Sequence, residues 1–393
     1  MGLPISYHWR NLLVRKTTTL LTLLVVAVVV GVFTWMMGFA SSLTRSLAVA
    51  SDETKLLILK RGATAESNSA IPIEDFNRLN QLSAIVRDED NIPLLSPEMM
   101  AQVSLPRARD GGATFANVAV RGVTAAAFKV HRNVKLLGKG FTTGRREVIV
   151  GQAAAKQFAG LNVGDTIGLG YGSDRGYKVV GHFSAGGGPM ESEIWGYLPS
   201  LMNAYNRKTY SCASLRLSDD ADSAAAIERI RGPAIQLEAK TERQYWQAQS
   251  AGIRRYLTVA YALVAIMSVA AIFSIANTMF STVAGRTREV AMLRTIGYSQ
   301  WRILTGFVFE SILLTTVGGI VGCLACVAWL SLVGNTKDMF GATNFTTLAF
   351  EIRVTPAIVL WSLLSVVAVG VIGSLIPALR AARTPVVSAL RAP

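Results

Sequence analysis

Cysteine, histidine and the signatures of catalysis are what this chain has least of. Its 393 residues hold three cysteines, and only Cys212 lies outside long apolar runs. A lone cysteine closes no intrachain disulfide, so the segment around it must fold on its own core. Cys323 and Cys326 form a CxxC inside an apolar run, where small-residue helix packing explains the spacing better than redox or metal chemistry. The three histidines, His8, His131 and His182, stand in unrelated contexts, and neither HExxH nor GxSxG occurs. Gly138-Lys139-Gly140 lacks the following Ser/Thr and the upstream loop of a Walker A, and reads as a turn. Gly186-Gly187-Gly188 reads as a flexible turn rather than an anion cradle. No catalytic, metal or cofactor-binding residue is expected, and a membrane enzyme is the disfavoured class.

Apolar residues are abundant, at 51% of the chain. Four runs, 17–39, 256–283, 303–333 and 357–376, reach or pass the ~20 residues that cross a bilayer. The second and third exceed that need and must tilt or project beyond the lipid. The first run has signal-peptide features: Arg10, Arg15 and Lys16 precede it, and Ala48-Val49-Ala50 resembles a cleavage site. It is longer than the about 7–15 residues of a signal core, and Ala50 lies well past its end, so the reading is an uncleaved anchor. Ile5, Trp9, Leu12 and Leu13 fall at helical spacing and predict an amphipathic arm at the inner interface, with a disordered leader as the alternative.

Acidic residues are scarce where basic ones collect. Arg10, Arg15, Lys16, Arg286, Arg288, Arg294, Arg302, Arg380, Arg383 and Arg391 face only Glu289 in their three segments. The loop between the last two runs balances Lys337 and Arg353 with Asp338 and Glu351. This asymmetry places both termini and the loop at 284–302 in the cytoplasm, and 45–255 outside a cytoplasmic (inner) membrane. The net charge of +14 is thus topological signal plus a mildly basic outer segment, and nucleic acid is not an expected partner.

The expected organisation is an arm at 1–16, a first span with the start of a stalk at 17–44, and an outer domain at 45–255. A second span follows at 256–283, a cytoplasmic loop or helix at 284–302, a third span at 303–333, an outer loop at 334–356, a fourth span at 357–377 and a tail at 378–393. Within the outer segment, 54–60, 114–123, 147–150, 166–169, 177–183 and 211–217 read as strands, and 73–82, 152–158 and 222–230 as helices. Gly172-Ser173-Asp174 reads as a turn, and the flanks 41–50 and 245–255 as helical stalks. The fold class is four transmembrane helices with an α+β extracytoplasmic domain inserted between helices 1 and 2.

The segment from Gly285 to Leu304 is the most informative. Thr287 suits a helix cap, Glu289 a positive first turn, and Gly297 a C-terminal stop. Val290 and Leu293 share a face, giving a short peg with an apolar side and a rim of Arg288 and Arg294. The plainer alternative is a solvated positive-inside loop. Glu310, inside the third run, is expected to face protein, and Asn277 is a possible partner in an interhelical hydrogen-bonded lock. The alternative, a proton or substrate site, would want more ionisable groups. Gly318 and Gly322 form GxxxG beside Gly319, and Gly370 and Ser374 repeat the small-residue spacing, which suits close helix contacts within or between subunits.

The run EVAMLRTIGYSQWRILTGFVFESILLTTVGGIVG resembles the signature of the FtsX/MacB-type permeases of ABC transporters. The tail IPALRAARTPVVSALRAP, the opening RNLLVRKTTTLLT, and GLNVGDTIGLG followed by YKVVGHFSAGG are similar to the same family's ending, leader and periplasmic core domain. Tyr298 departs from it, standing where the family usually has Ala. The resemblance implies a permease without a fused ATPase domain, dimeric, served by two copies of a separate ABC ATPase, with ATP bound by that partner. Arg288, Glu289, Val290, Leu293, Arg294 and Gly297 would couple to it. Such a subunit transmits motion to its outer domain to export or extract a hydrophobic or peptide-like cargo, with membrane lipid and an adaptor protein as further partners. The alternative function is a regulatory scaffold that activates an extracytoplasmic hydrolase or sensor.

Overall fold

The apolar runs become four long helices: α1 (Lys16–Val49), α7 (Glu242–Ala284), α9 (Gln300–Leu332) and α10 (Pro356–Ala382). Their stretches Thr19–Ser42, Leu257–Ala284, Gln300–Leu332 and Pro356–Ala382 are long and apolar enough to cross a membrane. The computed structural model describes residues 16–49, 52–108, 111–171, 176–332, 352 and 354–383. The expected arm, the Ala48-Val49-Ala50 site beyond Val49, the turn at 172–174, most of the outer loop at 334–356 and the tail beyond Arg383 lie outside the described residues. The chain forms two compact units, one with the helices up to Ser41, over Ile253–Gly334 and from Ile352, the other with Ser42–Gly252.

In the helical unit the glycine spacings decide the packing. A Cβ on Gly322 would stand 2.3 Å from the Ala27 carbonyl oxygen, and one on Gly318 would meet the Val26 side chain at 2.8 Å. Gly318 and Gly322 thus bring α9 against α1. Gly319 faces Val366 of α10, and Gly370 of α10 lies against Thr315. Hydroxyls close the remaining gaps: Ser311 donates to the Gly370 carbonyl at 2.9 Å, and Thr34 to Ser362 at 3.0 Å. Ser374 is fully buried. Val259, Leu263, Ile266 and Phe273 of α7 are exposed, the surface that apolar lipid tolerates.

The outer unit is a ten-stranded mixed sheet in the order β10-β1-β9-β2-β3-β8-β5-β7-β4, with β6 also on β7. Its strands are β1 (Lys55–Lys60), β2 (Leu95–Pro106), β3 (Phe115–Val123), β4 (Lys135–Gly138), β5 (Glu147–Gly151), β6 (Thr166–Gly168), β7 (Gly176–Ser184), β8 (Glu193–Tyr197), β9 (Cys212–Arg216) and β10 (Leu237–Thr241). The β3–β8 and β5–β7 pairs are parallel, and the rest are antiparallel. The helices α2 (Ile73–Arg78), α3 (Ala126–Val130), α4 (Gln152–Gln157), α5 (Leu198–Ala204) and α6 (Ser223–Arg231) pack on it. Ile227 and Ile230 of α6 cover Leu56 and Ile58, whereas Leu57 and Leu59 on the other face of β1 meet Tyr245 and Trp246 of α7. Alternation along β1 therefore buries both faces.

Sequence periodicity located the strands that begin near 54, 114, 147, 166, 177 and 211, and the Asp222 carboxylate caps α6 by accepting from the Ala224 amide at 2.9 Å. It missed β2, β4, β8 and β10. In β2, Pro97 and Glu98 interrupt the apolar pattern, and β8 is opened by Glu193. Helix α2 stops at Arg78, and a 3-10 turn, Leu79–Gln81, replaces the expected last turn.

Candidate functional site

The segment between α7 and α9 folds as α8 (Thr287–Thr295). Its end is defined by backbone chemistry. Gly297 has φ +101°, its amide bonds the Arg294 carbonyl at 3.1 Å, and the Tyr298 amide bonds that of Leu293 at 3.0 Å. This pair of bonds is a Schellman stop, and the positive φ is why glycine stands there. The start differs from expectation. Arg286 occupies the cap position, and the Thr287 hydroxyl donates back to the Ala284 carbonyl at 3.0 Å. Glu289 lies in the first turn, where a negative charge is favourable.

The expected docking face turns the other way. Val290 is 5% exposed and packs with Ile303, Leu304 and Phe307 of α9 and Ala378, Ala381 and Ala382 of α10, while Leu293 is half-buried. A nine-residue helix is stable only if its apolar side is buried, and the helical unit itself supplies the cover. Arg294 is not a rim residue either. Its guanidinium donates to the Ala382 carbonyl at 3.4 Å, at the C-terminal end of α10. What α8 exposes is Arg288, Glu289, Met292 at 52% and Ile296 at 76%, with Trp301 at 74% at the start of α9. Met292 and Ile296, at i and i+4, form a second apolar stripe, legible in the same helical spacing as that of Val290 and Leu293.

The lock at Glu310 is also differently built. Its two oxygens accept from Arg286, Nη1 to Oε2 at 2.9 Å and Nη2 to Oε1 at 3.2 Å, whereas Asn277 is exposed. A buried carboxylate needs a full opposite charge, and the guanidinium fork supplies two parallel bonds where an amide supplies a dipole. Arg286, read from sequence as a topology signal, thereby ties the start of α8 to α9.

A second polar cluster lies within the outer unit, and sequence reasoning missed it. Arg121 of β3 is fully buried. Its Nε and Nη2 donate to Glu193 at 2.7 and 2.9 Å, its Nη1 to Glu98 at 2.6 Å, and its Nη2 to Glu66 at 2.9 Å. Trp195 Nε1 donates to Glu193 at 2.8 Å. Burial opposes the charge on Arg121, but these carboxylates outweigh it and raise the guanidinium well above its usual range. Burial would also raise Glu98, yet His131 and Arg121 hold its carboxyl well below the usual range. Glu66, Glu98 and the Cys212 thiol bring their ligand atoms within 4.8 Å of one another. The guanidinium already bonds all three, so it supplies the positive charge that this acidic group calls for. Burial and the two carboxylates push the Cys212 thiol up, away from a reactive thiolate.

Two family models cover most of the chain. The family described as MacB-like periplasmic core domain matches residues 18–232, and that described as FtsX-like permease C-terminal matches 261–386. The chain belongs to the FtsX/MacB-type ABC transporter permeases. It is 23% identical over 409 residues to the macrolide export ATP-binding/permease protein MacB of Shigella flexneri, covering 98% of this chain and 60% of that protein. It is 32% identical over 117 residues to the ABC transporter permease YvrN of Bacillus subtilis, covering 29% of this chain and 25% of that one. Among solved structures, the periplasmic region of MacB from Actinobacillus actinomycetemcomitans aligns with TM-score 0.38 and 18% identity, over 51% of this chain and 95% of that one. The extracellular domain of the transporter YknZ aligns with TM-score 0.32 and 15% identity, over 47% and 98%. The permease is thus a membrane protein of four apolar helices with an extracytoplasmic sheet domain between the first two.

Proposed function

We propose that this permease converts ATP hydrolysis by a separate cytoplasmic ATPase into motion of its outer domain, and so exports or extracts a hydrophobic or peptide-like cargo. The observation that carries the reading is the mounting of α8. It is stopped by Gly297, tied to α9 through Arg286 and Glu310 and to α10 through Arg294, and it still presents Met292, Ile296 and the neighbouring Trp301. A peg fixed at its base, with apolar anchors on its free side, suits a groove on a partner that must push the helices. The long helices α1 and α7 extend past their apolar stretches, as carriers of that push would. The export function named for the MacB relative supports a transport role.

In this reading two permeases and two ATPase copies form the working unit, α8 and both termini face the cytoplasm, and an adaptor protein and membrane lipid complete the assembly. The ATPase binds ATP and performs the hydrolysis. Burying Met292 and Ile296 contributes on the order of 3–5 kcal/mol before association costs. Arg288 and Glu289 at the rim steer docking more than they add affinity. The test is co-purification of the ATPase with wild-type permease and with Met292→Asp/Ile296→Asp, scored with ATP turnover. Loss of binding by a folded variant is expected. Undiminished binding with normal turnover would overturn the docking role of α8.

A further inference from the structure

Seven buried polar side chains of the outer unit run in one line. Glu242, the first residue of α7, accepts from Lys55 Nζ at 2.9 Å. Lys55 also donates to His131 Nδ1, and His131 Nε2 meets Glu98 Oε1 at 2.7 Å. Lys55 has only donors, so Nδ1 accepts and the ring proton sits on Nε2, aimed at Glu98. Glu98 passes the line to Arg121, which ends it in forks on Glu193 and Glu66. Every side chain on this line is 8% exposed or less.

Its two outer members occupy special places. Lys55 opens β1, and Glu242 directly follows β10. The register pairs Leu56 with Thr241, and Lys55 and Glu242, the next residue on each chain, meet through their side chains. The chain therefore comes into the sheet and leaves it at this one ion pair.

We propose that Lys55 and Glu242 are positioning residues, a staple that fixes the first turn of α7 to the sheet and, through His131 and Glu98, to Arg121 at its centre. The inference rests on the motion-transmitting reading of the permease. The remaining hold on this turn is Tyr245 and Trp246 against Leu57, Leu59 and Cys212, with one long hydrogen bond from the Glu66 amide to the Tyr245 hydroxyl at 3.4 Å. Apolar contact is non-directional and lets surfaces slide. A buried ion pair does not, because any displacement strands both charges. The nearby Arg243–Glu53 pair, at 48% and 66% exposed, adds little to the hold. With the staple closed, a pull on α7 moves the whole sheet. With it open, the first turn slips.

Residues one step beyond an antiparallel pair lie within reach of an engineered disulfide, and its formation in the oxidised protein is checked by mass spectrometry before the assay. The experiment uses the full chain bound to its ATPase, as wild type and as Lys55→Cys/Glu242→Cys in reduced and oxidised forms. It reads co-purification, ATP turnover and the ATP-dependent change in hydrogen exchange of β2 and β3. All three proteins are expected to bind the ATPase and hydrolyse ATP. The reduced variant is expected to lose the exchange response, and the oxidised one to regain it. Retention by the reduced form, or no recovery on oxidation, overturns the staple. A reduced variant that does not fold is replaced by Glu242→Ala, which leaves Lys55 bonded to His131. It is expected to lose the response, and retention again overturns the proposal. A wild type with no ATP-dependent change overturns the underlying reading and the staple with it.

Discussion

Arg286 grips both oxygens of Glu310, at 2.9 and 3.2 Å, across 24 residues of sequence. The carboxylate is 3% exposed and the guanidinium 15%. Breaking one side of such a pair leaves the other charge buried and costs about 3 kcal/mol or more. Glu310→Gln is expected to destabilise nearly as much as Glu310→Leu, since its NH₂ faces a group that only donates. Arg286→Met/Glu310→Met is expected to recover most of the loss. A double-mutant cycle on unfolding in detergent measures the coupling. A Gln variant as stable as wild type would return the lock to a neutral hydrogen bond.

The two apolar stripes of α8 separate by the kind of damage they report. Val290→Asp buries a carboxylate against Phe307 and Ala378 and is expected to lower the melting temperature of the purified permease. Met292→Asp, on an exposed side chain, is expected to leave it within a degree or two of wild type. Thermal unfolding of both proteins in one detergent decides the matter, and equal melting temperatures would contradict the assignment of faces.

Helix contact at Gly322 admits no added atom without movement. Gly322→Ala places a Cβ 2.3 Å from the Ala27 carbonyl oxygen, and overpacking of this kind costs about 1–3 kcal/mol. Gly31→Ala, whose Cβ would stand 3.3 Å from the Gly322 oxygen, is expected to cost less. Equal stability of the two variants would mean that the helices part without penalty.

Acid is expected to weaken the outer unit through His131. Lys55 of β1, Glu98 of β2 and Glu242 of α7 are the charged groups that face this ring, and Trp195 packs at its edge, 5.5 Å between centroids. Burial and the Lys55 ammonium push the imidazole below its usual 6.5, against the pull of Glu98. Between its folded and unfolded values the unfolded chain holds more protons, so stability falls as pH drops below about 6.5. Glu98, depressed in the folded state, contributes in the same direction at lower pH, its share present above 4.5 and lost as pH falls through its folded value. The melting temperature of the outer unit should fall from about pH 7 to 5, and His131→Gln should flatten the upper part of that slope. A wild-type melt indifferent to this range would count against a neutral, buried His131.

Features written in length or spacing were legible in the sequence. The four spans, the approach of Gly318 and Gly322, and the Gly297 stop depend on local composition, and each appears where its pattern indicates. Features that depend on what a face packs against were not. Val290 and Leu293 share a side of α8, but only the fold says that the side is covered. Lys55, Glu98 and Arg121 look like surface charges, and only their company hints otherwise. Arg121 interrupts an apolar strand between Val120 and Val123, and Lys55 opens the run Leu56–Leu59, all of it buried. A charge set within such a strand is the signal that periodicity alone passes over.

The pairing of Leu56 with Thr241 has a consequence for how such proteins diversify. Because the chain enters and departs the sheet side by side, everything from 57 to 240 is a cassette on two adjoining connectors. Exchange of that cassette between relatives must keep an apolar seat for Tyr245 and Trp246 and a partner for Lys55, the roles Leu57, Leu59, Cys212 and His131 fill here. A recombination event therefore has two neighbouring joints to respect, at 56 and 241, with these few contacts to restore.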